Sequence, residues 1–127
     1  MIVVDASAAV LALLNDGDAR RMLAADAVAV PHLVDAEVAN ALRAQVRRGG
    51  VSATDAGTAL ARWARLGVRR EAIVGLLSRI WQLRDNVSAY DAAYVALAEA
   101  IGCPLITADA RLARAPGPRC VITVVRR

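Results

Sequence analysis

The sequence predicts an α/β fold, a three-layer domain in which a central parallel sheet is flanked by helices on both faces. Short apolar runs with the length of buried strands alternate with longer segments of helical periodicity, and no repeat, linker or low-complexity tract interrupts them. Such alternation is typical of a doubly wound parallel sheet, because each helix returns the chain to the edge where the next strand begins. Hydrophobic residues make up 57% of the sequence without a single Phe, so aliphatic side chains must form the core. A chain of 127 residues is expected to be one domain, residues 1–127.

The first half of the chain contains two predicted strands and four predicted helices. Ile2 to Val4 is an apolar run of strand length, and the turn-forming residues from Asn15 to Gly17 end the helix behind it. Pro31 is expected to stop the second strand, since proline lacks the N–H that a sheet ladder needs. The Gly49-Gly50 pair separates two longer helices, which therefore form a helical hairpin. In order, the elements are strand Ile2 to Val4, helices Ala6 to Leu14 and Ala19 to Ala25, strand Ala27 to Val30, a helix from His32 to the Gly49-Gly50 break, and a helix capped by Ser52 that runs to about Leu66.

The second half contains three predicted strands and three predicted helices. Ser88 stands three residues before Asp91, the spacing of a helix N-cap, and Gly102 with Pro104 ends that helix. The elements are a short strand Val68 to Ala72, helix Ile73 to Leu83, helix Ala89 to Ala100, strand Pro104 to Thr107, helix Ala110 to Arg114 and strand Val121 to Val125.

Four carboxylates lie where this fold gathers functional groups. Asp5 directly follows a predicted strand and Asp109 stands two residues after another, whereas Glu37 and Asp91 each open a helix. Helices that connect parallel strands begin at the carboxyl edge of the sheet, so all four carboxylates should meet at that edge, where ligand sites of open α/β sheets lie. Four acids in one place cannot all stay ionised without a counter-charge. A hard divalent cation with oxygen ligands usually supplies it.

Each of these acids also has a purely structural interpretation. Asp5 and Asp109 are placed as N-caps of the helices behind them. Asp91 completes an S-x-x-D capping box, and Glu37 could simply be solvated. The joint placement of the four acids favours a functional site, because most other acids fall elsewhere. Asp35 is the strongest outsider, by which we mean an acid near the site that is not assigned to it: it shares the first helical turn with Glu37 but points to another face of the helix. The acids expected at the opposite edge are Asp16, Asp18, Asp26 and Glu99, while Asp55 and Asp85 stay unassigned.

The charge balance suits a protein that acts on nucleic acid. All 16 basic residues are Arg, against 12 acidic residues, which gives a net charge of +4. A GC-rich genome explains the absence of Lys. Whatever its origin, the bias matters physically, because Arg binds phosphate bidentately and keeps its charge. Arg side chains would hold the nucleic-acid backbone while a concentrated acidic site meets the scissile phosphate.

Several other kinds of site are disfavoured. Cys103 and Cys120 lack the C-x-x-C spacing of a redox or zinc site and are expected to be buried, reduced thiols. The only histidine, His32, lies at a strand-to-helix turn and is expected to be structural. Charges interrupt every apolar stretch before membrane-spanning length, and the sequence opens with a strand instead of a basic leader, so a soluble cytoplasmic protein is expected.

Four sequence blocks together carry a family resemblance. The opening strand ends in D-A-S, and E-V-A-N-A-L-R, Y-D-A-A-Y-V-A-L-A-E and a C-terminal T-A-D follow in that order. Over the whole chain this set resembles the PIN-domain ribonucleases and, within them, the VapC-type toxins of bacterial toxin-antitoxin pairs. The resemblance places the family's acidic site on the four carboxylates that the topology gathers. It also suggests supporting roles for three neighbours, which are Ser7, Asn40 and Thr107.

The resemblance implies an activity and its partners. It implies an endoribonuclease that depends on Mg²⁺ or Mn²⁺ and hydrolyses RNA with an activated water, so no Ser-His or Cys-His nucleophile is needed. It further implies a homodimer and a VapB-type antitoxin that neutralises the toxin. The metal ligands would be Asp5, Asp91 and Asp109, with Glu37 binding directly or through water. The basic residues first expected to touch substrate are Arg47, Arg48 and Arg111.

Two other functional classes stay open. A phosphoryl-transfer or receiver domain also gathers acids at strand tips. The chain has no Lys for a receiver's active site, and Ser7 stands where a D-x-D-x-T phosphatase loop needs Asp. A non-catalytic module that keeps the fold for dimerisation or partner binding is the second alternative. The complete set of acids argues against it, and a metal titration would separate the two.

Overall fold

The strands and helices alternate along the chain as the sequence predicts. The structure is a computed structural model that describes residues 1–126. Within that range the elements are β1 (Ile2–Val4), α1 (Ala6–Leu14), α2 (Asp18–Ala25), β2 (Val28–Pro31), α3 (Val34–Arg47), α4 (Ala53–Arg65), β3 (Arg69–Glu71), a 3-10 turn (Val74–Leu76), α5 (Leu77–Gln82), α6 (Ala89–Ile101), β4 (Leu105–Thr107), α7 (Ala110–Arg114) and β5 (Ile122–Val124).

The five strands form one parallel sheet in the order β3-β2-β1-β4-β5. The chain moves outward from β1 to β2 and β3, then returns to add β4 on the other side of β1. Since crossovers between parallel strands are right-handed, these two directions place their helices on opposite faces. Accordingly α1 contacts α2, α3 and α4, whereas α6 contacts α5 and lies along β1, β2 and β4. The predicted three-layer α/β fold is confirmed.

The core is aliphatic, as the composition requires. β1, β2 and β4 are buried along their whole length, as expected of strands covered on both faces. On one side α6 contributes seven consecutive buried residues, 92–98, which marks it as a helix surrounded by protein. Trp63 of α4 and Tyr94 of α6 are the largest fully buried side chains. Small Ala side chains elsewhere let the helices approach the sheet closely.

Two predicted boundaries shift for identifiable reasons. Pro31 does end the second strand, but it belongs to the strand as its last residue, paired in register with Glu71, because a strand end loses only one ladder donor. The helix predicted from Ile73 to Leu83 begins with a 3-10 turn and becomes α-helical only at Leu77. Gly75 lies within that first turn, and glycine disfavours α-helix.

The two cysteines are free thiols, and both are partly exposed where the sequence suggested burial. Partial burial is nevertheless enough to raise the pKa of each thiol. In the part of the chain that the structure describes, no helix combines the length and apolarity needed to cross a membrane.

One carboxylate joins the helical hairpin α3-α4 to the sheet. Asp35 accepts a hydrogen bond from Trp63 Nε1 at 2.8 Å and bonds from Arg70 of β3 at 2.8 and 2.9 Å. The same guanidinium lies 5.9 Å from the centre of the Trp63 ring, within cation–π range. The hydrogen bonds from Arg70 hold the pKa of Asp35 below its usual value. Asp35, the strongest outsider among the acids, therefore has a structural role.

We expect Asp35→Ala to lower the free energy of unfolding by about 2 kcal/mol, because it leaves the buried Trp63 N–H without an acceptor. Asp85→Ala is the matched control, at an exposed position with no hydrogen bond among residues 1–126, and should change stability by less than about 0.5 kcal/mol. Urea unfolding of both variants measures the difference. Equal losses would show that Asp35 anchors nothing.

Candidate active site

The four predicted acids, with Ser7 and Thr107, lie at the carboxyl edge of the sheet where the strand order reverses. β1 and β4 are neighbours in register, with Val4 opposite Ile106, and the Asp5 N–H donates to the Ile106 carbonyl at 3.1 Å. Helices leave these two strands toward different faces, which opens a crevice at their carboxyl ends. In open α/β sheets this crevice is the usual ligand site. Asp5 follows β1 and Thr107 ends β4, so both lie at this edge.

Asp5 is the most deeply buried of the four acids, with 6% of its surface exposed. It caps α1, where its Oδ1 accepts from the Ala8 N–H at 3.0 Å and from the Ser7 hydroxyl at 2.6 Å. Its Oδ2 accepts from the Thr107 hydroxyl across the two strands. Burial raises the pKa of Asp5 and the charge of Asp109 raises it further, although the three hydrogen bonds oppose the shift. The carboxylate is therefore firmly oriented.

Ser7 and Thr107, both predicted as supporting residues, connect the two strand tips. Their hydroxyl oxygens lie 3.3 Å apart, and both donate to Asp5. Each hydroxyl also accepts from the loop after β4: Ser7 from the Ala108 N–H at 2.9 Å and Thr107 from the Asp109 N–H at 3.0 Å. These bonds fix the loop that presents Asp109 relative to Asp5.

Glu37 is joined to the site by a residue that the sequence interpretation missed. It lies half-buried in the first turn of α3, and its Oε1 accepts a hydrogen bond from the Tyr94 hydroxyl of α6. Burial raises the pKa of Glu37, and the charges of Asp91 and Asp5 raise it further. The available signal was the Y-D-A-A-Y spacing, which places Tyr94 on the same face of the helix as Asp91.

Asp91 and Asp109 line a cavity of about 280 Å³ together with Arg111. Burial raises the pKa of Asp91, and the charges of Asp5 and Asp109 add to the shift. Asp109 caps α7 by accepting from the Arg111 N–H at 2.9 Å, and the Arg111 Nε lies 3.3 Å from the same oxygen. Burial also disfavours ionised Asp109, but the bonds from Arg111 outweigh it and leave the pKa below its usual value.

The other predicted residues lie farther away or outside the network. Asn40 is exposed on α3, and its side chain makes no hydrogen bond within residues 1–126. Arg47 and Arg48 are exposed at the far end of α3, about 15 Å along the helix from Glu37. Of the three suspected basic residues, only Arg111 is beside the acids. At the opposite edge, Asp26 pairs with the amino terminus at 2.6 Å and Glu99 with Arg79 at 2.7 Å, as the topology predicts.

The four acids fit a hard divalent cation in their donor chemistry. All four offer carboxylate oxygens, and three of them have raised pKa values that a cation between them would lower. As the side chains lie, no three His, Cys, Asp or Glu residues within 1–126 are close enough to hold one ion together. Arg111 engages Asp109, so joint coordination would require rotation of at least these two side chains.

Comparison with known proteins supports one family throughout. The model of the PIN domain matches residues 2–118. Ribonuclease VapC9 of Mycobacterium tuberculosis is 57% identical over 127 residues, which cover 100% of both chains. M. tuberculosis VapC20, a Sarcin-Ricin loop cleaving toxin, has a similar crystal structure, with a TM-score of 0.62 and 25% sequence identity. The match covers 90% of this chain and 94% of that one. VapBC2 from Rickettsia felis, bound to a DNA fragment from its promoter, shares the fold at 14% identity and a TM-score of 0.68, over 98% of each chain. The chain therefore belongs to the PIN-domain family and, within it, to the VapC type.

Proposed function

We propose that this protein is a Mg²⁺- or Mn²⁺-dependent endoribonuclease and the toxin of a toxin-antitoxin pair. The observation that carries the proposal is the placement of Asp5, Glu37, Asp91 and Asp109 around the reversal of strand order, where the pKa values of the first three are raised by burial and by the charges of other acids in the group. Membership of a family whose relatives are named ribonucleases supports RNA as the substrate.

The proposed metal ligands are Asp5, Asp91 and Asp109, with Glu37 acting directly or through water. A cation bound there would neutralise charge on the phosphodiester and lower the pKa of a water molecule. The protein supplies the positions: Ser7, Thr107 and the N-terminus of α1 hold Asp5, and the cap of α7 holds Asp109. Because water and not the ribose 2′-hydroxyl attacks, the products would be a 5′-phosphate and a 3′-hydroxyl.

Arg111 is the proposed contact to the substrate phosphate. Its side chain is largely exposed and lines the same cavity as Asp91 and Asp109. Its approach to Asp109 is loose, at 3.3 and 3.5 Å, so the guanidinium is free to turn toward a phosphate while its backbone N–H keeps Asp109 in place. Arg47 and Arg48 would contact RNA only well away from the scissile bond.

The proposed antitoxin segment fits a groove beside the hairpin. A cavity of about 530 Å³ runs between α1 and α3, and its lining combines apolar residues such as Val10, Leu11 and Ala44 with the polar residues Gln45 and Arg48. It extends to Ser7, whose hydroxyl is bonded to Asp5, so an apolar-faced helix lying there would end next to the acids. A basic side chain at that end would enter among the four carboxylates and oppose binding of metal or phosphate.

A homodimer is the proposed state of the toxin itself. The 3-10 turn and the adjoining α5 expose three large apolar side chains at helical spacing, which are Val74, Leu77 and Trp81. We call these three residues the apolar stripe. Contiguous apolar surface of this kind marks interaction sites in soluble proteins. On the hairpin α3-α4 and its end, the large exposed apolar residues are only Leu60 and Leu66, and both are less exposed than the residues of the stripe. The stripe therefore offers more apolar surface for a dimer interface than the hairpin does.

The first test of the proposed activity is its metal dependence. We expect the purified protein to cleave single-stranded or loop RNA only in the presence of Mg²⁺ or Mn²⁺, since every donor of the site is a carboxylate oxygen. EDTA should abolish cleavage and an excess of Mg²⁺ should restore it, as followed on end-labelled RNA. Full activity in EDTA would refute the metal-dependent mechanism.

Removing one acid should abolish activity without harming the fold. Asp5→Asn or Asp91→Asn should reduce cleavage by about 100-fold or more, as expected when charge stabilisation at a reacting phosphate is lost. A carboxyl whose pKa is raised on folding loses its contribution to stability as the pH rises through that pKa, so at pH 7 the neutral amide should leave the free energy of unfolding unchanged or higher.

Asp16→Asn, at an exposed position on the opposite edge, is the control for both variants and should retain full cleavage. If it lost as much activity as Asp91→Asn, the assignment of the four acids would be wrong.

The last test in this group concerns the partners. Light scattering should give the mass of a dimer, and the protein should co-purify with the product of any small gene that lies immediately upstream when the two are co-expressed. Ala44→Arg, which fills the groove between α1 and α3 with a long side chain, should lose that capture, whereas Ala64→Arg on the exposed face of α4 should keep it. A monodisperse monomer that ignores the upstream protein would contradict this part of the proposal.

A further inference from the structure

One buried side chain of α6, Tyr94, carries a hydroxyl that reaches the acidic site. Tyr94 belongs to the run of buried residues 92–98 in α6, and only 1% of its surface is exposed. Its ring fills the core as a Phe would, yet it carries a hydroxyl, which must find a partner when buried. The hydroxyl donates to Glu37 Oε1 on α3. The two residues are 57 positions apart in sequence, so the bond joins helices that belong to different halves of the chain.

The Glu37 carboxylate depends on this one donor. Within residues 1–126, no other hydrogen bond or ion pair reaches its side chain, whereas Asp5 has three donors. A glutamate has three rotatable side-chain bonds, and fixing them costs conformational entropy. Without the tyrosine hydroxyl, the half-buried carboxylate would sample several orientations.

We propose that Tyr94 is a positioning residue, which fixes Glu37 so that Oε1 accepts from the tyrosine and Oε2 stays available to a divalent cation or to a water bound to it. The inference rests on the proposed metal-dependent function. Hydrogen bonds that orient a metal-binding carboxylate typically contribute 10- to 100-fold to metal affinity or activity. Since Glu37 has a single such bond, its orienting effect on metal affinity should depend entirely on the Tyr94 hydroxyl.

The chain offers a matched pair of tyrosines for the test. Tyr94→Phe removes only the hydroxyl and keeps the buried ring. Tyr90→Phe makes the same change four residues earlier in α6, at a side chain that is 66% exposed and has no hydrogen bond within residues 1–126. Calorimetric titration with Mn²⁺ in the absence of RNA should give a Kd about tenfold or more higher for Tyr94→Phe. Tyr90→Phe should stay within about twofold of the wild-type protein.

A double-mutant cycle shows whether the effect passes through Glu37. In a Glu37→Gln background, Tyr94→Phe should change the Mn²⁺ affinity by much less than it does in the wild-type background. In cleavage assays the Mg²⁺ concentration for half-maximal rate should rise with Tyr94→Phe, while kcat at saturating Mg²⁺ returns toward the wild-type value. A purely structural hydroxyl would instead lower stability to urea and leave the Mn²⁺ Kd unchanged.

The possible failures are distinguishable. If the wild-type protein binds Mn²⁺ and cleaves RNA but Tyr94→Phe has the same Kd, this inference is wrong and the proposed function stands. If the wild-type protein neither binds Mn²⁺ nor cleaves RNA, both are wrong. Should Tyr94→Phe fail to fold, NMR of the Tyr94 hydroxyl proton in the wild-type protein decides. The hydroxyl must stay hydrogen-bonded when Mg²⁺ is added, and loss of that signal would overturn the inference.

Discussion

The site depends on a single buried carboxylate, Asp5, which links β1 to β4. These parallel neighbours mark the point where the strand order reverses. The donors to Asp5 come from the start of α1 and from the end of β4. A carboxylate in this position would be costly without them, because a buried charge is tolerated only when it is hydrogen-bonded. The same three bonds therefore offset the cost of burial and fix α1 against β4. Through Thr107 and the Asp109 N–H, they also set the position of a second acid.

The charges of the site are unfavourable to one another, and the rest of the molecule compensates. Burial and neighbouring charges raise the pKa of Asp5, Glu37 and Asp91, while Arg111 lowers that of Asp109. Stability comes from elsewhere: from the aliphatic core around α6 and from the cluster of Asp35, Trp63 and Arg70 that joins the hairpin to the sheet. Asp35 and Glu37 are two residues apart on one helix, yet one stabilises the fold and the other belongs to the acidic group. Which face each occupies decides its role.

Local sequence signals predicted the parts of the site that are set locally. Asp5 and Asp109 adjoin strand tips, and Asp91 lies three residues after a capping Ser88, so topology alone places them. The same signals could not reveal that Tyr94 bonds Glu37 across 57 residues or that Trp63 bonds Asp35 across 28, because a hydrogen bond between distant helices has no sequence period. Likewise, Arg47 and Arg48 were plausible by charge alone, but the length of α3 carries them away from the acids. The sequence therefore predicted where the carboxylates lie, whereas the packing of the helices determines which side chains bond to them.

The structural and functional interpretations of these acids are compatible. Asp5 and Asp109 do cap α1 and α7, and a cap uses one carboxylate oxygen to bind the free N–H groups of the helix. That bond fixes the rotamer, and the positive end of the helix dipole favours the charged form. Glu37 caps no helix, but the hydroxyl of Tyr94 binds one of its oxygens as a helix N–H binds a capping carboxylate. These hydrogen bonds restrain the carboxylates from turning away from one another, although their charges repel. Capping of α1 and α7 thus holds two of the four acids, Asp5 and Asp109, at this edge of the sheet.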